Sequence, residues 1–474
     1  MRSVAMGAGV NKGADAVVGR EEIEAEIAMM VREALDELLR RSAAEEFDFD
    51  AIEVTTQELL RRIGGRMVER AVVQRVHSLE ANPPDCPECG RRMERELRHR
   101  DLVGLVGEYR VNRGYYRCRH CHTHCIPADT ALGIGPGALS PALGRIAAMA
   151  AAQVSFGSSS ASINDTLSTK LTEAEVYRTA EALGAVAEAE IIAATSEETA
   201  TPVQPASDTL LIGADGTTTF TDGDWHEVKV GVVAPLGPQR QVDPETGRAR
   251  LTIGEKTYCA LVGSADTFFP RLRVLANESG WGHPALCTVV AIGDGSPWIW
   301  NRMASFTHPG VKRVEILDYI HASQHVWDVS KAVFGAESLD AYIWGERYSD
   351  LLKEQGPDPL LKALDLLQPE TAEGCAAVTN AREYSKLHTA AGRMDYPGFI
   401  AGGLPIASGI VEAGCNSVVC QRTKGAGKRW RRLGAQAVLN LRCFRLSPSR
   451  WTAFFHRHPG PRRSPVATLR KEAA

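Results

Sequence analysis

A chain of 474 residues is long enough for two or three domains with cores of their own. Its 44% hydrophobic and 24% charged content is that of an ordinary soluble protein, and a net charge of −4 excludes a polypeptide that coats nucleic acid uniformly. No apolar run reaches the length of a membrane span, and Met1 to Arg20 lacks the apolar centre of a signal peptide, so a cytoplasmic location is expected.

Residues 20–79 place Ile23, Ile27, Met30, Val31, Ala34, Leu35 and Leu38 at helical spacing among Glu and Arg. This predicts two or three amphipathic helices, broken near Phe47–Asp50, for packing or oligomerisation. The region 1–80 is therefore taken as helical. Five of the eleven cysteines then crowd between 86 and 125. In a reducing compartment such a cluster points to metal rather than disulfides. Cys86-Pro-Glu-Cys89 and Cys118-Arg-His-Cys121 are two C-x-x-C turns, and together they offer four thiolates to a tetrahedral zinc. The stretch Leu97 to Tyr116 between them, with Gly104 and Gly107 as turn points, suits the hairpin of a zinc ribbon over residues 81–130. Cys125, His120, His122 and His124 are nearby substitutes as ligands. Arginines outnumber acids around the cluster, which fits either DNA contact or a solvated surface.

Residues 139–184 read as three short helices, with Ser158 or Ser159 capping the second and Thr172 the third. Such a trio suits a helix-turn-helix, and any small bundle gives the same pattern. The helix-turn-helix and linker are placed at 135–200, the linker being the Ala/Glu/Thr-rich stretch from Ala185 to Ser207.

A second domain is expected from Asp208. Strands are predicted at 209–214, 226–234 and 250–262, a helix at 267–279, then strands at 287–292 and 311–318 with a helix opening at Tyr319. Three strands, a helix and two more strands is the order of a ribonuclease-H-like α/β core, here 208–328. Residues 329–400 read as a helical insertion and 401–445 as the returning core, where Ser408 starts a helix carrying Glu412. Residues 446–474 form a basic tail.

Asp215 and Asp294 each follow an apolar run and sit beside glycine, so they are expected where strands end and the backbone turns. With Glu412 they make three carboxylates, a donor set of hard oxygens for two Mg2+ or Mn2+ ions. Two such ions about 3.5–4 Å apart serve phosphodiester chemistry. Asp318 and His321 fit either of two roles, satisfying buried backbone groups or acting directly. Trp298, Trp300 and Trp327 read as core. Lys424, Lys428, Arg429, Trp430, Arg431 and Arg432 follow the Glu412 helix, and Gly425 and Gly427 would put them on a loop suited to phosphates.

The ordered set Asp215-Gly, Gly293-Asp294-Gly-x-x-Trp-Ile-Trp, Asp318-Tyr-Ile-His321-Ala-x-x-His325-x-Trp327, Ser408-Gly-Ile-Val-Glu412 and Arg422-x-Lys424-Gly-x-Gly-Lys428-x-Trp430 resembles DDE transposases of bacterial insertion sequences, nearest to the ISKra group. The resemblance spans about residues 80–445. It implies Asp215, Asp294 and Glu412 as the metal-binding triad, supported by Asp318 and His321. It also implies N-terminal DNA-binding parts, terminal inverted repeats and target DNA as partners, and a homo-oligomer on nucleoid DNA. The rival expectations are a domesticated, non-catalytic DNA-binding regulator and a stand-alone nuclease. An intact triad speaks against the first, and strand joining would separate the second.

Overall fold

The computed structural model describes residues 19–43, 47–80, 82–135, 137–196, 202–242 and 249–458. The opening Met1 to Val18 and the last part of the basic tail, 459–474, lie outside the described residues. The chain divides into two compact units, residues 1–186 with 455–474, and residues 187–454. No helix among the described residues is long and apolar enough to cross a membrane.

The first unit opens on α1 (Arg20–Ser42) and α2 (Phe49–Leu79). Asp48 caps α2 by accepting the Ala51 N–H at 2.9 Å. Next comes a hairpin of β1 (Glu94–Gly104) and β2 (Gly107–Arg117), extended by the short β3 (His124–Cys125). Gly104 leaves no room for a Cβ, which would sit 2.1 Å from the Tyr109 ring, and Gly107 has φ +133°. The two glycines therefore hold the turn as the sequence suggests. Val76 of α2 joins Leu102, Tyr109 and Val111 of the hairpin in one small core.

After α3 (Pro127–Ala131) come α4 (Pro141–Gln153), α5 (Phe156–Leu167) and α6 (Glu173–Ser196). The cap of α5 is Ser155, whose hydroxyl accepts the Ser158 N–H at 3.0 Å, rather than Ser158 or Ser159. Thr172 does cap α6 through a reciprocal box: its Oγ1 accepts the Glu175 N–H at 3.2 Å, and the Glu175 carboxylate accepts the Thr172 N–H at 2.8 Å. The Ala/Glu run expected as linker is instead the second half of α6, since Ala and Glu are strong helix formers.

The second unit is built on a mixed sheet. β4 (Thr209–Thr221) pairs antiparallel with β5 (Asp224–Val242) and parallel with β8 (Thr288–Gly293), which pairs parallel with β9 (Lys312–Leu317). β6 (Ala249–Ile253) and β7 (Thr257–Val262) share the outer edge of β5, so the single strand expected at 250–262 is two. Between β7 and β8 runs α7 (Ala265–Glu278), capped by Ser264, and between β8 and β9 runs α8 (Pro297–Met303).

A helical segment then follows: α9 (Tyr319–Phe334), α10 (Leu339–Gln355), α11 (Asp358–Leu366), α12 (Ala372–Ala390) and α13 (Tyr396–Ala401). The chain returns through α14 (Gly409–Gly414), a π-helical turn (Cys415–Cys420), α15 (Gln421–Thr423), α16 (Arg432–Arg445) and α17 (Pro448–Arg457). Successive strand residues face opposite ways. A Cβ on Gly231 would meet Leu272 of α7, whereas Gly414 of α14 faces Val230. The sheet is therefore covered on both faces. Leu210, Leu211, Ile212, Val289, Val290 and Ile292 are all buried, the all-apolar reading of strands with two covered sides.

Candidate functional site

Three aspartates occupy one register level of the sheet. Ala214 of β4 lies opposite Gly293 of β8, and Gly293 lies opposite Leu317 of β9. The next residues are Asp215, Asp294 and Asp318, on strands about 4.8 Å apart. Asp318 N–H donates to the Gly293 carbonyl at 2.9 Å, which fixes the third aspartate against β8.

Asp215 does not end its strand. β4 continues through β-branched Thr217, Thr218 and Thr219 to a hairpin at Asp222-Gly223, where both φ values are positive. What ends at Asp215 is the parallel pairing with β8. At Asp294 the strand does end, at Gly293, and the chain bends at Gly295, yet neither flanking glycine has a positive φ. They make space: a Cβ on Gly295 would sit 2.1 Å from the Tyr384 ring, and one on Gly293 would sit 3.1 Å from the Ala214 carbonyl.

Local bonds orient each carboxylate. Asp215 accepts the Gly216 N–H at 2.6 Å and the Cys415 thiol at 3.4 Å. Burial pushes its carboxyl up, helped by the charge of Asp294 and opposed by those two bonds and by His321. Asp294 accepts from the Ser296 N–H at 2.8 Å and the Ser296 hydroxyl at 2.9 Å. The Trp300 indole N–H donates to the Asp294 carbonyl at 2.6 Å, so the buried Trp300 serves the core and also fixes the loop.

Glu412 is carried in by α14, which rests on β4 because Gly213 lacks a side chain; a Cβ there would meet Val411 at 2.4 Å. The Glu412 side chain is exposed, and one of its oxygens lies within 4.8 Å of ligand atoms of Asp318 and His321. The structure thus brings Glu412 beside Asp318 and His321, and sets Asp215 and Asp294 at the same sheet level. Ser408 precedes α14 without capping it by its side chain. Its hydroxyl instead donates to the buried Asp318 carboxylate.

Asp318 also accepts the Ile320 N–H at 2.7 Å and pairs with His321 Nδ1 at 3.0 Å. Burial would raise the Asp318 carboxyl, but the bonds from His321, Ser408 and Ile320 outweigh it and hold it below the usual value. The same bond raises the His321 imidazole to about 9 against the cost of burial, with further help from the charges of Asp318, Asp294 and Asp215. A raised folded pKa contributes stability that is complete below about 6.5 and lost as pH rises through about 9. His321→Gln should therefore lower the thermal midpoint at pH 6 and approach the parent by pH 10. A gap that does not change between those pH values would show that the pair contributes no charge-dependent stability.

Sequence reasoning did not reach Ser296, Cys415 or the bonding role of Ser408. Nothing in the spacing of Cys415 marks it, because its place against Asp215 depends on the seating of α14 and the following π-helical turn.

The basic residues divide into two groups. Lys428 Nζ donates to the carbonyls of Arg422 and Lys424, both at 3.1 Å, and the Arg432 guanidinium donates to the Val262 carbonyl. Trp430 is half-buried, donates from Nε1 to the Thr423 carbonyl at 3.2 Å, and bridges to Thr221 of β4. Lys424 Nζ donates to Thr217 Oγ1 at 2.9 Å, two residues along β4 from Asp215. Arg429 and Arg431 stand exposed. The loop is therefore held by Lys428, Trp430 and Arg432 and presents Arg429 and Arg431 outward. Replacing Arg429 and Arg431 with alanine should make the slope of log DNA affinity against log salt shallower by roughly one unit per contact. An unchanged slope would mean that the pair is only a solvated surface.

In the first unit, the four cysteines form a compact set. Cys86 and Cys121 sulfurs lie 3.3 Å apart, Cys89 and Cys118 3.6 Å, and Cys89 and Cys121 3.8 Å. A tetrahedral zinc with bonds of about 2.3 Å needs sulfur separations of about 3.8 Å, so the donors fit that ion. The two turns match: Gly90 N–H bonds to the Cys86 carbonyl at 2.8 Å and His122 N–H to the Cys118 carbonyl at 3.1 Å, with φ of +70° and +61° at Gly90 and His122. The four-sulfur set is Cys86, Cys89, Cys118 and Cys121; of the substitutes, His124 stacks on Tyr115, and Cys125 packs beside the set, 3.7 Å from the Met93 sulfur.

No family model matches the chain. No curated protein matches it. Among solved structures it is similar to one described as the Drosophila P element transposase strand transfer complex, at 10% identity and a TM-score of 0.18, over 57% of this chain and 71% of that one. A likeness that slight carries no argument about function.

Proposed function

We propose that the chain is a DNA transposase that binds the ends of its element, cleaves DNA in a metal-dependent step and joins the freed end to a target. One observation carries this reading: Asp215 and Asp294 share a register level on adjacent parallel strands, and a separate helix presses Glu412 toward the same end. The order β7-β5-β4-β8-β9, antiparallel on one side of β4 and parallel on the other, supports a ribonuclease-H-like core interrupted by the helices from α10 to α13.

In this reading Asp215, Asp294 and Glu412 hold two Mg2+ or Mn2+ ions. Bound there, the ions would supply activation of an attacking oxygen and stabilisation of a leaving oxygen. Ser296 fixes the Asp294 carboxylate, and Cys415 orients that of Asp215. Asp318 and His321 support the site, the imidazole being held by the buried Asp318 carboxylate beside Glu412. Residues 81–130 with zinc on Cys86, Cys89, Cys118 and Cys121 form a ribbon, and α4 to α6 supply the helix-turn-helix; both would hold double-stranded DNA. Exposed Arg429 and Arg431 steady the phosphates beside the cut.

The test is an assay of purified protein with Mg2+ or Mn2+ and DNA bearing the repeats that flank its gene. Cleavage at the repeat ends followed by joining to a second DNA supports the transposase. Cleavage without joining would leave a nuclease, and binding without cleavage a regulator.

A further inference from the structure

We propose that the tip of the β4–β5 hairpin and the loop Lys424–Arg429 form a pocket for one unpaired nucleobase of the DNA being processed; this rests on the DNA-handling reading above. The hairpin places Phe220 opposite Trp225, with ring centroids 5.7 Å apart at 75°. Trp225 is 59% exposed, so it contributes little to any core. With the loop, the two rings line a cavity of about 200 Å3, whose other wall carries the exposed Arg429 together with Lys424 and Lys428, whose ammonium groups also bond Thr217 and the loop carbonyls. That is below the about 300–1,000 Å3 of sites for drug-sized ligands and suits one planar ring system.

Aromatic faces on one side and cations on the other are the two halves of a nucleotide site. Every base has a π-face for stacking, and every nucleotide has a phosphate for the cations. In a duplex that face is covered by the neighbouring bases, so only an extruded or single-stranded base can enter. The acids at the hairpin tip do not oppose this, because they serve the backbone. Asp222 accepts the Arg432 N–H at 3.3 Å, and Asp224 accepts the Trp225 N–H at 2.7 Å. Gly425 at φ +145° and Gly427 at φ +73° give the loop a course that side-chain-bearing residues rarely follow.

Phe220 lies five residues beyond Asp215 along β4, which at about 3.3 Å per residue is about 17 Å. An odd number of residues away, it leaves the opposite face of that strand.

Equilibrium anisotropy with the full-length protein tests this, using three labelled probes of equal length: oligothymidylate, an abasic strand and a duplex. Trp225→Ala should weaken oligothymidylate binding roughly tenfold, Trp225→Phe should recover most of it, and the duplex and abasic strand should bind as before. If the parent binds duplex but Trp225→Ala holds oligothymidylate as tightly as the parent, the pocket is refuted and the DNA-handling reading stands. If the parent binds none of the three probes, the DNA-handling reading falls and takes the pocket with it. Equal losses on all three probes would also overturn the pocket, since they would reflect a general loss of DNA affinity rather than of base stacking.

Discussion

Asp294→Asn should reduce metal-dependent DNA cleavage by on the order of a thousandfold, the scale of several kcal/mol in a transition state. DNA binding should be little changed. The reason lies in how the side chain is held. Both Asp294 oxygens take bonds from Ser296, at 2.8 Å from its N–H and 2.9 Å from its hydroxyl. An amide of the same size keeps an acceptor for the N–H, and the hydroxyl can turn to meet the new NH2 group, so geometry survives while charge is lost. The change also removes the Asp294 charge, which raises the Asp215 carboxyl in addition to the larger effect of burial, so that carboxyl should fall toward the usual value. Cleavage and binding measured side by side on the same DNA give the answer. Cleavage within about tenfold of the parent would take Asp294 out of the metal site.

The second large effect concerns the first unit. Stripping zinc, or Cys118→Ser, should open the β1–β2 hairpin, because four thiolates held close together need a cation to remain so. Cys86 and Cys118 are almost wholly buried, at 2% and 1% exposed, beside Met93 and Tyr116. Their small core has few other residues to rely on. Hydrogen exchange of the hairpin amides should rise sharply on chelation, and metal analysis should find one zinc per chain before it. Purified protein with no zinc and four freely titratable thiols would exclude the site.

Much of the second unit was legible because its strands are fully apolar. Leu210 to Ile212 and Val289 to Ile292 have no polar alternation, which marks strands covered on both sides, and each run points to the aspartate that follows. The length of β4 was not legible. Asp-Gly reads as a turn, and only pairing with β5 shows that the chain passes through Asp215-Gly216 fully extended. The same limit applies to α6, where Ala and Glu were compatible with linker and helix alike. At the candidate site, residue type marked Asp215, Asp294 and Glu412 as candidates, and the fold sets the first two at one sheet level and Glu412 beside Asp318 and His321. Residue type could not expose Cys415, Ser408 or Ser296, whose roles depend on contacts made in the fold; the Cys415 and Ser408 partners lie 200 and 90 residues away. Nor could it divide the basic residues, since Lys428 and Arg429 differ only in which one finds carbonyls nearby.

The helical excursion between β9 and α14 leaves and re-enters the sheet at one point. Tyr319, the first residue of α9, donates its N–H to the carbonyl of Ile406 at 2.9 Å, just before Ser408 binds Asp318. The two ends of that excursion are thus clasped as closely as neighbouring strands, whatever lies between them. Closing a longer loop costs only about 0.6 kcal/mol per doubling of its length. Loop-closure entropy therefore leaves the length between Asp318 and Glu412 open to growth at the connections between these helices, but not to trimming of α10 and α11, whose Leu352, Leu360 and Leu364 are buried in the core. One residue added to β8 is a different matter: it would shift Asp294 by about 3.3 Å and turn it to the opposite face. The same protein thus combines a stretch that tolerates insertion with three strands that tolerate none.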